Sequence, residues 1–161
     1  MAAPTGPRSL AALLIAATVA AGCGDGETSD RPQDAPKVAA DVRGGTRIVL
    51  GDSQFGRMLF NAERQAIYIF ENDREQETVC YGECAEAWPP VFTDGAPLAG
   101  EGVDASLLGT LERRGGERQV TYAGQPLYFY AHEGPGQVLC HDVNLNGGLW
   151  WVVAPDGRRR A

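Results

Sequence analysis

The stretch PLYFYAHEGPGQVLCHD, residues 126–142, repeats a pattern that the chain has already used sixty residues earlier, in AIYIFENDREQETVCYG at residues 66–82. The two stretches align without a gap and keep aromatic residues, an acid and a cysteine at equivalent places. The aligned pairs are Tyr68 with Tyr128, Phe70 with Tyr130, Asp73 with Glu133, and Cys80 with Cys140. A self-similarity of this length predicts two copies of one structural unit.

The residues around these stretches predict β-hairpins. FGRMLFNAERQAIYIF at 55–70 aligns with GERQVTYAGQPLYFY at 116–130, and in both a strand-like run turns through polar residues into a second one. Ala123-Gly124 supplies the turn in the second copy. An isolated hairpin is barely stable in water, so two copies are expected to cover each other's apolar face. Asp104 is placed to cap a helical turn or two, and CAEAW at 84–88 can hold one more. The predicted fold is a mainly β domain of two pseudo-equivalent, hairpin-containing repeats packed as one small domain, with one or two short helical turns.

Composition limits the classes of partner. The 161 residues carry a formal net charge of −7, which argues against nucleic acid and against electrostatic docking on anionic lipid. We expect a signal peptide at 1–22, a disordered polar tether at 23–44, a two-repeat β domain at 45–157 and a basic tail at 158–161. The repeats are expected at about 46–105 and about 106–157.

The N-terminus has the features of an export signal. One arginine precedes an uncharged run rich in Ala and Leu, at 10–21, that is too short to span a bilayer as a helix. Its AAGC ending, 20–23, resembles the lipobox of bacterial lipoproteins, in which the cysteine becomes the acylated (palmitate-bearing) first residue. Cys23 is therefore the predicted lipid anchor. The alternative is cleavage after Ala21 or Gly22, with Cys23 left as a free thiol.

The motifs of the body resemble a known family. YIFEND at 68–73, CYGECAEAWPP at 80–90 and RQVTYAGQPLYFY at 118–130 resemble the bacterial secreted-repeat lipoproteins, described by a Yx(FWY)xxD motif and of unknown function. The resemblance covers residues from about 46 to about 157. It implies an extracytoplasmic location and a two-repeat architecture, and it implies no activity.

The cysteines of the body allow several pairings. Cys80 and Cys84 flank three residues, and outside the cytoplasm a structural disulfide between them is the default. A catalytic redox pair is the alternative, but such pairs mostly have two intervening residues at a helix start. Pairing of Cys140 with Cys80 or with Cys84 also stays open.

Cys140 lies beside His141, and His132 precedes it by eight positions. Thiolate and imidazole together suit copper or zinc, so these three residues are a candidate metal or redox site. Adjacent residues of an extended segment point to opposite faces, which opposes chelation unless the loop bends. The alternative is that both histidines are ordinary loop residues and that no cofactor binds.

Asp73 and Glu133 follow the aromatic strands, where a carboxylate accepts backbone N–H bonds in the next turn. Trp150 and Trp151 are adjacent and cannot both point inward from a strand, so one is a candidate for a recognition patch. No catalytic motif is present. We therefore expect a non-catalytic, lipid-anchored envelope module that binds or scaffolds an unknown envelope protein or ligand, with a redox or metal-handling lipoprotein as the alternative.

Overall fold

The computed structural model describes residues 44–160. The predicted signal peptide, the lipidated Cys23 and all of the predicted tether except Gly44 lie outside these residues. Among the described residues there is no helix with the length and apolarity that crossing a bilayer requires.

The described chain consists of nine short strands, one α-helix and one 3-10 turn, so the predicted mainly β class is confirmed. The elements in chain order are β1 (Arg47–Ser53), β2 (Gly56–Asn61), β3 (Tyr68–Phe70), α1 (Glu83–Ala87), β4 (Leu98–Ala99), a 3-10 turn (Ala105–Leu107), β5 (Leu108–Glu112), β6 (Arg118–Tyr122), β7 (Gln125–Pro126), β8 (Val143–Leu145) and β9 (Gly148–Val152).

The strands form three small sheets, with the orders β2-β1-β4, β5-β6-β7 and β3-β9-β8. The antiparallel pair β1–β2 of the first repeat corresponds to the antiparallel pair β5–β6 of the second. The third sheet combines both repeats, because β3 of the first pairs antiparallel with β9 of the second. The two predicted repeats thus form one domain with a shared sheet.

The segment that ends each repeat pairs with a strand of the other repeat. Val91 exchanges two backbone bonds with the second repeat, donating to the Leu127 carbonyl at 2.9 Å and accepting from the Val120 amide at 2.8 Å. In the reciprocal position, the carbonyl of Val153 accepts from the amide of Leu59 at 3.0 Å. Neither repeat completes its hydrogen bonding alone.

The predicted turns and helical segments are present. Ala123 and Gly124 both have positive φ, 48° and 79°, as a two-residue hairpin turn requires. The side chain of Asp104 accepts from the amide of Ser106 and caps the 3-10 turn. The helix predicted near residues 84–88 is α1.

Alternation along the strands divides the interior into two apolar clusters. On β3, Tyr68 and Phe70 point into a cluster that also holds Trp88 and Trp150. Ile69 points the other way, into a second cluster with Leu127 and Val153. The first cluster is the one that contains the repeated motif.

The predicted basic tail folds back on the domain. The amide of Arg160 donates to the Val152 carbonyl at 3.1 Å, and Arg159 forms a bridge with Val153. The guanidinium of Arg159 lies over the ring of Trp151, with its central carbon 5.1 Å from the ring centroid.

Candidate functional site

The tyrosine and the acid of the repeated motif form hydrogen bonds that cross between the repeats. The hydroxyl of Tyr68, in the first repeat, donates to the carboxylate of Glu133 in the second at 2.8 Å. The hydroxyl of Tyr128, in the second repeat, donates to Asp73 in the first at 2.5 Å. The backbones of the two tyrosines also exchange a pair of hydrogen bonds, of 2.9 and 3.0 Å. The two motifs therefore meet at a pseudo-twofold centre.

Each motif acid also organises the loop that leads to its cysteine. Asp73 accepts from the amide of Val79 at 2.8 Å, and Glu133 accepts from the amide of Leu139 at 2.9 Å. The sequence predicted backbone bonds of this kind. It did not predict the tyrosine on the other side of each carboxylate, because that partner comes from a segment about sixty residues away.

Burial governs the protonation of these groups. Loss of solvent raises the pKa of Asp73 and the pKa of Glu133, and the bonds from their tyrosine and amide donors only partly offset this. The pKa of Tyr68 and that of Tyr128 are strongly raised, first by burial and then by the neighbouring carboxylate. Both tyrosines therefore stay protonated donors at any ordinary pH.

A buried arginine makes the two acid sites unequal. Arg113 donates to the carbonyl of Cys80 at 2.5 Å and to the side chain of Gln119 at 2.6 Å. Its positive charge partly offsets the rise in the pKa of Asp73, whereas no cation offsets the rise in the pKa of Glu133. Sequence reasoning missed Arg113, since an arginine in the polar run ERRGGER gives no sign that it is buried.

The aromatic residues form a continuous stack with the same pseudo-symmetry. Trp88 and Trp150 are parallel, with ring centroids 3.8 Å apart. Phe70 stacks on Trp150 at 4.3 Å, and its counterpart Tyr130 lies 4.7 Å from Trp88. Phe70, Trp150 and Trp88 are buried and stacked, and the partly buried Tyr130 is tilted against Trp88, which makes this the aromatic centre of the domain.

The two motif tyrosines contact the stacked tryptophans edge to face. Tyr68 meets Trp88, and Tyr128 meets Trp150, both edge to face at 5.4 and 5.2 Å. Edge-to-face pairs place the positive ring edge against the negative ring face. Each motif tyrosine therefore has an aromatic partner as well as an acid.

The predicted disulfide between Cys80 and Cys84 is present, and Cys140 is a buried free thiol. All three cysteines belong to, or pack against, the same apolar cluster. Burial, followed by the charge of Glu133, raises the pKa of Cys140 to about 11, and the Tyr130 hydroxyl offsets this only in part. At neutral pH Cys140 is a protonated thiol, which is a poor nucleophile and a poor metal ligand.

The candidate metal residues do not converge. The ring of His141 packs against Phe55 at 4.4 Å and Trp151 at 5.7 Å, while His132 is exposed and its ring meets Tyr130. Burial lowers the pKa of His141, so that it is neutral near pH 7. Within residues 44–160, no three His, Cys, Asp or Glu side chains come together in a way that could hold a metal ion.

Comparison with known proteins gives one match. Residues 109–154 match a protein-family model, Lipoprotein_15, described as a secreted repeat of unknown function. No curated protein and no solved structure matches the chain. The matched residues run from β5 to just past β9, and they contain the Tyr128 motif and Cys140. The segment 109–154 is thus a secreted repeat of unknown function, in agreement with the resemblance drawn from the sequence.

Proposed function

We propose that the chain is a lipid-anchored extracytoplasmic module, attached to a membrane through acylated Cys23, that binds or scaffolds another component of the envelope and performs no catalysis. One observation carries the non-catalytic part of the proposal. Both motif acids and both motif tyrosines are engaged with each other inside the domain. The residues that define the motif are therefore committed to holding the repeats together.

Two exposed apolar side chains support a binding role. Val79 and Leu139 occupy equivalent places in the two repeats, one residue before each repeated cysteine, and are 53% and 57% exposed. Their amides are fixed by Asp73 and Glu133, so these two acids set where both side chains point. We expect an envelope partner to contact one or both of them.

Anchoring is tested by replacing the acylated residue. Cys23→Ala is expected to move the protein from the membrane fraction to a soluble one, and intact mass of the wild type is expected to include the added acyl chains. Ser29→Ala, which leaves Cys23 in place, serves as the matched control. A Cys23→Ala protein that remains with the membrane, or a wild-type mass without acyl groups, would show that the anchor is wrong.

The binding role is tested by photo-crosslinking in cells. A photoreactive residue at 79 or 139 is expected to link to another envelope component, whereas one at the exposed, polar position 101 is not. Yields at 79 and 139 no higher than at 101 would contradict contact through these side chains.

A further inference from the structure

A cleft of about 720 Å³ is lined by Ile69 and Trp151 of the second apolar cluster and by Phe70 and Asp73 of the repeated motif. Its walls come from β3, from the β6–β7 turn, from β9 and from the chain that follows β9. Trp151 lies half-buried in the wall, whereas its neighbour Trp150 is fully buried. In the cleft, the ring of Trp151 lies beside polar and charged side chains.

The cleft contains a guanidinium with no anionic partner. Arg159 is exposed, lines the cleft and is held over the Trp151 ring. Within residues 44–160 the one ion pair joins its neighbour Arg158 to Asp156, at 3.7 Å, and Arg159 has none. The cation–π contact with the indole positions the guanidinium at the cleft, and none of its N–H groups pairs with a carboxylate of residues 44–160.

Other groups in the cleft narrow the chemistry of a ligand. The side-chain amide of Gln125 also lines the cleft. Three carboxylates, those of Glu71, Asp73 and Asp156, also line the cleft and repel a second negative charge. Glu71 accepts from the amide of Leu149, and Asp156 pairs with Arg158. A guanidinium fork matches one carboxylate in a bidentate manner, and acids nearby match hydroxyl or ammonium donors.

We propose that this cleft binds a small ligand with a single carboxylate and additional hydroxyl or ammonium donors, the carboxylate pairing with Arg159 and Gln125. This deepens the proposed binding role, on which it rests, by naming a class of ligand. An acidic sugar supplies the carboxylate with hydroxyl donors, and a peptide terminus supplies it with an ammonium group. It does not depend on the anchor at Cys23 or on contact through Val79 and Leu139.

The experiment titrates the purified full-length protein and follows the indole N–H resonance of Trp151, assigned with Trp151→Phe. The probes are D-glucuronate, the dipeptide Ala-Ala, acetate and inorganic phosphate. Saturable shifts with glucuronate alone, or with the dipeptide alone, support the proposal and identify the source of the carboxylate. The proposal is overturned if neither shifts the resonance, or if acetate or phosphate does so equally well.

Matched variants assign the contact. Arg159→Gln is expected to weaken binding about tenfold, the loss that corresponds to one charge-assisted pair. Arg158→Gln removes the same charge one residue away and is expected to change affinity less than about threefold. Gln125→Ala is expected to weaken binding independently of Arg159. Equal effects of Arg158→Gln and Arg159→Gln would show general electrostatic attraction and overturn the assignment.

Discussion

The hydroxyl of Tyr68 donates to the carboxylate of Glu133 at 2.8 Å, although the two residues are 65 positions apart and belong to different repeats. Tyr128 and Asp73 repeat the relationship in the opposite direction. The repeated motif of this chain is therefore a connection between its two repeats. Its tyrosine and its acid are paired by the fold and not by their closeness in sequence.

Removing either crossed hydroxyl should destabilise the domain by a similar amount. Tyr68→Phe and Tyr128→Phe each leave a buried carboxylate without its phenol donor, and we expect a loss of about 1.5–3 kcal/mol in the free energy of unfolding. Chemical denaturation measures it. Tyr81→Phe is the control, since Tyr81 packs against the guanidinium groups of Arg113 and Arg114 and should lose less than about 0.5 kcal/mol. A negligible effect of both crossed substitutions would contradict the structural role of the motif.

Protonation of Asp73 and Glu133 should stabilise the domain on mild acidification. The folded-state pKa of Asp73 and that of Glu133 are raised, so between the unfolded and folded values the native state binds more protons than the unfolded one. Their contribution to the free energy of unfolding therefore falls as pH rises through this window. His141 contributes with the opposite sign, because burial lowers its folded-state pKa. In His141→Gln, which removes that contribution, the melting temperature should be higher at about pH 5.5 than at about pH 7.5.

A substitution isolates the contribution of Glu133. Glu133→Gln mimics the protonated acid and should flatten the pH dependence, leaving the part due to Asp73. Glu101→Gln, at an exposed position, should leave the dependence as in the wild type. A wild-type slope in Glu133→Gln would show that Glu133 titrates alike in both states.

Reduction of the Cys80–Cys84 disulfide should weaken the fold without abolishing it. The bond closes a loop with a sequence separation of only 4, for which chain entropy gives about 2 kcal/mol. Denaturation with and without a phosphine reductant measures the difference. Complete unfolding on reduction, or no change in stability, would each be at odds with this expectation.

The thiol of Cys140 should react slowly in the native protein. It is 6% exposed and its pKa is about 11, so both access and thiolate content are low near neutral pH. Alkylation of Cys23→Ala protein followed by mass spectrometry should modify Cys140 only after unfolding. Rapid modification of the folded protein would instead identify it as a reactive thiol.

The sequence predicts the fold class, the two repeats and the Ala123-Gly124 turn, because all three depend on local patterns. The sixty-residue register aligns Asp73 with Glu133 correctly in space, since both accept from the residue before a cysteine. The side-chain partners at the centre of the domain could not be predicted from the sequence. Tyr68, Trp88 and Arg113 acquire theirs from the other repeat or from a distant loop, and no local pattern encodes which side chain arrives. The cleft at Trp151 could not be predicted either, because its walls come from segments that are far apart in the sequence.

The pairing of strands between the repeats has a consequence for how such a chain can arise. Two separate chains, each with one repeat, would form the same contacts across an isologous homodimer interface, because every bond would occur twice about a twofold axis. Joining two such repeats in one chain makes their association intramolecular. The two halves can then differ in sequence. The two halves differ in this way: Asp73 has a buried arginine as its neighbour, while Glu133 borders a free thiol.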